Sequence, residues 1–158
     1  MQGRLTPPNG RGVQFYLADS VEGEREFEIA KDLGLSAIEW VGDLRTPLFD
    51  EHVQQKVREV VARTGVTVRN MDLHEIATKK DLAEHPDELF EKICASLSGV
   101  DGGAVEVPLL EASSLLDSAH YEARVAALRR LVAGAQKHGV PVAVETDLPP
   151  QALAEFLA

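Results

Sequence analysis

Short apolar runs rich in β-branched residues alternate along this chain with longer stretches whose apolar positions recur every three or four residues. The short runs are Ser36–Val41, Val66–Met71, Gly103–Val107 and Pro141–Glu145, too short for helices and valine-rich in the manner of buried parallel strands. The helical stripes between them are Phe27, Ala30 and Leu33; Val53, Val57, Val60 and Val61; Leu89, Phe90, Ile93, Cys94 and Leu97; and Tyr121, Val125, Leu128, Leu131 and Val132. Pro86 suits a first helical position, and Ser118 is a candidate N-cap for the fourth stripe. A fifth helix is expected from Pro149-Pro150 through Leu153, Phe156 and Leu157. Gly34, Gly65, Gly99 and Gly139 each follow a helical stripe and precede a strand-like run, the place for a left-handed C-terminal cap.

With an N-terminal strand placed near Gln2–Leu5, this is a βα unit repeated five times, with parallel strands and right-handed crossovers. Two α/β architectures fit: a doubly wound open sheet, or part of a (β/α)8 barrel. The segment after the first strand, Thr6-Pro7-Pro8-Asn9-Gly10-Arg11-Gly12, has no GxGxxG, which counts against a dinucleotide site.

Both architectures bind ligands at the C-terminal ends of their strands, and polar residues collect there: Arg4, Glu39-Trp40, Asp72, His74, Glu106 and Glu145. Glu145 ends an otherwise apolar run and shares a strand face with Ala143 and Pro141, while Val142 and Val144 point to the helices. In a barrel that face is the interior, where a carboxylate is paired, protonated or bound to a cation; a solvated rim glutamate is the alternative. Glu39 repeats the pattern, as a catalytic carboxylate or as an ion-pair partner of Arg4. Trp40 suits stacking on a sugar face, or core packing. Asp72-x-His74 has the donors for a metal or a proton relay, or is an ordinary loop pair. His52, His85, His120 and His138 read as surface residues, Lys79-Lys80 as a solvated pair, and Cys94 as a packing residue.

Composition narrows the function classes. Of 158 residues, 44% are hydrophobic and 27% charged, so the class is globular. A formal net charge of −10 repels a phosphate backbone, and no nucleic-acid partner is expected. No apolar run approaches the ~20 residues of a membrane span, so no membrane partner is expected either. A single cysteine and the absence of a signal-peptide pattern predict a cytoplasmic protein.

Several segments, in order, carry a resemblance: Met1-Gln2-Gly3-Arg4-Leu5-Thr6-Pro7-Pro8, Glu26 to Leu35, Ala37-Ile38-Glu39-Trp40, Val107-Pro108-Leu109 with Ser113-Ser114-Leu115, and Ala143 to Pro149. Together they resemble the N-terminal part of the sugar phosphate isomerase/epimerase family, the xylose isomerase-like TIM barrels related to metal-dependent apurinic endonucleases. The resemblance implies an incomplete (β/α)8 TIM barrel: about five parallel βα units in an open curved sheet. It implies a sugar or sugar phosphate as the small-molecule partner; from their strand-end positions Arg4, Trp40 and His74 are expected toward it, with Glu145 and Glu39 as the catalytic carboxylates. It also implies a divalent metal (Mn, Mg or Zn) with Glu145 as one ligand, the others coming from strands six to eight. A complete barrel takes roughly 250 residues, so about three βα units are expected to be missing and the chain to be inactive alone, self-associating through its sheet edges. The alternatives are a non-catalytic half-barrel and, less favoured, an endonuclease-like hydrolase.

Overall fold

The computed structural model describes residues 14–16, 24–42 and 47–157. Five strands, β1 (Gln14–Tyr16), β2 (Ala37–Val41), β3 (Thr67–Asp72), β4 (Ala104–Leu109) and β5 (Val142–Thr146), form one sheet in the order β1-β2-β3-β4-β5, every neighbouring pair parallel. Sequential order with parallel pairing is the barrel progression, in which each helix returns the chain to start the adjacent strand. The expected strand near Gln2–Leu5 lies outside the described residues, and the first described strand is β1.

The helices are α1 (Glu24–Asp32), α2 (Glu51–Thr64), α3 (His74–Ala77), α4 (Asp87–Ser98), α5 (Tyr121–Lys137) and α6 (Pro150–Leu157). Their stripes bury against the side of the sheet bearing Ile38, Trp40, Met71, Val105, Val107 and Leu109, a core completed by Phe27, Val57, Phe90, Ile93, Leu97 and Leu131. Burying one such side chain contributes about 1.5–3 kcal/mol, so this layer holds the helices to the sheet.

Helix ends follow local chemistry. Asp50 caps α2 by accepting from the His52 N–H at 2.8 Å, and Gly65 closes it at φ 73° with its N–H on the Val61 carbonyl. Gly34 and Gly139 also have positive φ, whereas Gly99 stays right-handed and Asp101 takes the left-handed turn instead. Pro86 is the cap of α4 rather than its first residue. Ser118 does not cap α5: that helix starts after His120, and the turn before it is held by Asp117, which accepts from the Ala119 N–H and bonds the His120 ring. His85 is buried, not a surface residue, with Nε2 2.9 Å from the Ile76 carbonyl. Cys94 lies in the α4 stripe, where burial pushes its thiol up to about 11 and leaves it unreactive at neutral pH.

The loops at the C-terminal ends of the strands are tied together by one buried cation. Arg124, 4% exposed on the first turns of α5, donates to Asp81 at 2.7–2.8 Å and to the Ser114 carbonyl at 2.5 Å, with Asp117 at 3.4 Å. Ser114 in turn donates to Asp147 beyond β5 at 2.7 Å. Removing one partner of a buried pair leaves the other charge unpaired. Arg124→Met is therefore expected to lower stability by about 3 kcal/mol in urea unfolding at pH 7, against well under 1 kcal/mol for the exposed Arg130→Met.

Candidate functional site

Strand alternation divides the side chains between two environments. Val105, Val107 and Leu109 of β4 turn to the helices and are fully buried, so Ala104, Glu106 and Pro108 turn to the opposite, inner face. The register carries that face across the sheet: Glu39 lies opposite Asn70, Asp72 opposite Glu106, Glu106 opposite Ala143, and Pro108 opposite Glu145. Four carboxylates, Glu39, Asp72, Glu106 and Glu145, thus come from four successive strands to one surface.

They are not equivalent. Asn70, 9% exposed, donates from its single amide nitrogen to Glu39 Oε2 at 2.5 Å and to Glu106 Oε2. One amide on β3 thereby spans carboxylates of β2 and β4. Asp72 is 6% exposed and accepts from the His74 backbone N–H at the start of α3. Glu145 lies on the exposed edge strand, its side chain open to solvent rather than enclosed.

Burial and mutual repulsion raise two of these acids. The Glu106 carboxyl is pushed up to about 7, mainly by desolvation and then by the charges of Glu39, Asp72 and Glu145, against the Asn70 hydrogen bond. Asp72 is pushed up to about 6, again mainly by desolvation; nearby His74 opposes this, and Glu39 and Glu145 add to it. An acid poised near neutral pH both gives and takes protons there.

Trp40 does not meet this surface. Its side chain is fully buried on the helix side, edge-on to Phe27 with ring centroids 5.8 Å apart, and its indole N–H has no partner among the described residues. The tryptophan follows Glu39 directly, and adjacent strand residues face opposite ways. His74 is half-buried beside Asp72; Arg4 lies outside the described residues. Lys79 and Lys80 pair with Glu75 and Glu84. The residue the sequence reading passed over is Asn70.

The donor set does not by itself fit a divalent ion. Among the described residues no three His, Cys, Asp or Glu side chains converge as ligands, and Asn70 keeps two of the carboxylates engaged.

No family model matches the chain, and no curated protein sequence does. Solved structures do. A xylose isomerase domain protein from Planctomyces limnophilus superimposes with a TM-score of 0.70 at 20% identity, over 92% of this chain and 57% of that one. The parallel βα progression is thus the same fold as part of that structure. A 3-keto-D-glucoside 4-epimerase from E. coli matches at TM-score 0.62 and 19% identity, over 84% of this chain and 54% of its own. A sugar phosphate isomerase/epimerase from Parabacteroides distasonis matches at TM-score 0.55 and 12% identity, over 94% and 61%. The chain thus spans a little over half the length of these barrels. No helix among the described residues is long and apolar enough to cross a membrane.

The raised acids make stability fall with pH. A carboxyl whose native pKa lies above its unfolded value binds its proton more tightly when folded. That stabilisation is complete below about pH 4 and is lost as pH rises through the native values of about 6 and 7. Urea midpoints in metal-free buffer are expected to drop between pH 5 and 8, and Glu106→Gln to remove about 1–2 kcal/mol of that drop.

Proposed function

We propose that this chain supplies the first five βα units of a barrel that isomerises or epimerises a sugar or sugar phosphate, by proton transfer at a carbon beside a carbonyl. The observation that carries the reading is the convergence of Glu39, Asp72, Glu106 and Glu145 on the inner face of a fold shared with proteins described as performing such reactions. The inner face offers proton acceptors and donors at neutral pH, which an enediol-forming reaction requires. Glu145, at the solvent-open end of β5, is the carboxylate available as one ligand of a divalent Mn, Mg or Zn ion, with the remaining donors supplied from outside the described residues. Were such an ion held there, it would supply Lewis-acid chemistry, while the proton transfers rest with the carboxylates of this chain. Arg4 and His74 stay assigned to the sugar side, and the polypeptide is taken as cytoplasmic.

Alone, this unit is read as inactive. Among the described residues its sheet is open at β5, where Ala143 and Glu145 are exposed and no side chains enclose a water-free pocket. A non-catalytic half-barrel is the competing reading, favoured by the same open edge. An endonuclease-like hydrolase is disfavoured by the net charge of −10.

Proton NMR in D2O tests the reading directly, as deuterium uptake beside the carbonyl of free and phosphorylated pentoses and hexoses with Mn2+ present. Where an in-frame sequence continues past the last codon, the chain joined to it is expected to exchange one of these sugars, and Glu145→Gln to slow it by about 100-fold or more. The 158-residue chain alone is expected to be silent. No exchange by the extended protein with any sugar of the panel would sink the isomerase reading in favour of the half-barrel.

Among the described residues β5 pairs on one side alone, with β4, and self-association through its other edge belongs to the same proposal. Beside it a groove of about 680 Å3 runs between α5 and α6, with Val125, Leu128, Val132, Val144 and Phe156 in its walls. Strand edges and apolar grooves of this kind drive association. Sedimentation of the isolated chain is expected to show dimers or larger species, which Val144→Lys disperses; a monomer at millimolar concentration contradicts it.

A further inference from the structure

The Glu39–Asn70–Glu106 bridge has a chemical consequence beyond its role in packing the inner face. A primary amide has two N–H donors on one nitrogen, and here both are committed to carboxylates from flanking strands. Two acceptors on one nitrogen lie within roughly 5 Å of each other. Two full negative charges at that separation, on a half-buried surface, repel strongly, and one proton between them relieves the repulsion. The amide in turn stabilises whichever oxygens stay charged: repulsion and burial draw in the first proton, and the amide, which opposes protonation, disfavours a second.

We propose that Asn70 is a positioning residue that holds Glu39 and Glu106 as a carboxylate pair with a single proton, forming the acid–base couple of the inner face. This rests on the isomerase reading for its substrate but not for its existence. In that reaction the charged member takes the proton from the carbon beside the carbonyl, and the C–H electron pair becomes the carbon–carbon double bond of an enediol. The carbonyl oxygen takes the proton from the neutral member. Return of the first proton to the former carbonyl carbon, and removal of the hydroxyl proton from its neighbour, restores the pair with one proton. No outside oxidant, reductant or second substrate enters.

Other charges facing the pair act on the same balance. Asp72 on β3 and Glu145 on β5 add negative charge and favour uptake of the proton, while Asn70 opposes it; the upward displacement of Glu106 to about 7 agrees in direction with this. His74 at the start of α3 acts on Asp72 rather than on the pair.

Carbon-13 NMR of the full chain, labelled at the glutamate carboxyl carbons and titrated in metal-free buffer, tests the pair without any turnover. Wild type is expected to hold one proton on the pair at pH 6 and to release it with a midpoint near 7 at Glu106. Glu39→Gln removes a facing charge while keeping the shape, and is expected to lower the Glu106 midpoint by about one pH unit. Asn70→Leu removes both donors, and is expected to raise it by about the same amount. A purely space-filling Asn70 would leave the midpoint where it is. Titration of Glu106 as an ordinary glutamate in wild type, or an unchanged midpoint in Glu39→Gln, overturns the proposal even if Asn70→Leu fails to fold. The raised Glu106 midpoint, lowered in Glu39→Gln, together with no deuterium exchange by the extended protein supports the pair and removes the isomerase reading alone.

Discussion

A parallel sheet has two faces, and among the described residues helices cover only one of them. That asymmetry governs the rest of the molecule. On the covered side, apolar side chains from β2 to β5 meet the stripes of α1, α2, α4 and α5, and this layer supplies the burial that makes the unit fold. On the other side the same strands present carboxylates and one amide, because each residue that follows a core position must turn away from it. The polar surface is thus the complement of the core, fixed by the same register.

That register also sorts the polar residues by environment. Asp72 and Asn70, on the central strand, are nearly enclosed by their neighbours; Glu145, on the edge, is not. Enclosure displaces Asp72 and Glu106 toward neutral pH, while Glu145 at the edge stays exposed to solvent. A gradient in solvent access across one sheet face therefore gives chemically different roles to side chains of the same type.

Much of this was legible in the residues themselves. Valine-rich runs and the glycines at 34, 65 and 139 located four strands, because β-branched burial and left-handed caps are local requirements. The strand ends ran one or two residues further than the apolar runs, to Asp72, Leu109 and Thr146, since ladder pairing continues after hydrophobicity stops. Glu39 and Glu145 stood out as charges in apolar strands. Asn70 did not, for a neutral amide gives no charge signal and its partners lie 31 and 36 residues away. Of the two roles open to Trp40, the structure takes core packing and not the sugar face, because adjacency in sequence is opposition in a strand. The cap at Ser118 failed because Asp117 and His120 hold that turn between themselves.

The Arg124 network bears on how such a surface can change over time. Because Asp81, Ser114, Asp117 and Asp147 are joined through one guanidinium and one hydroxyl, the connections after β3, β4 and β5 form a single heritable unit. A substitution in one of them alters the footing of the other two. Changing specificity by exchanging these loops between related barrels would therefore require transplanting all three together with the first turns of α5.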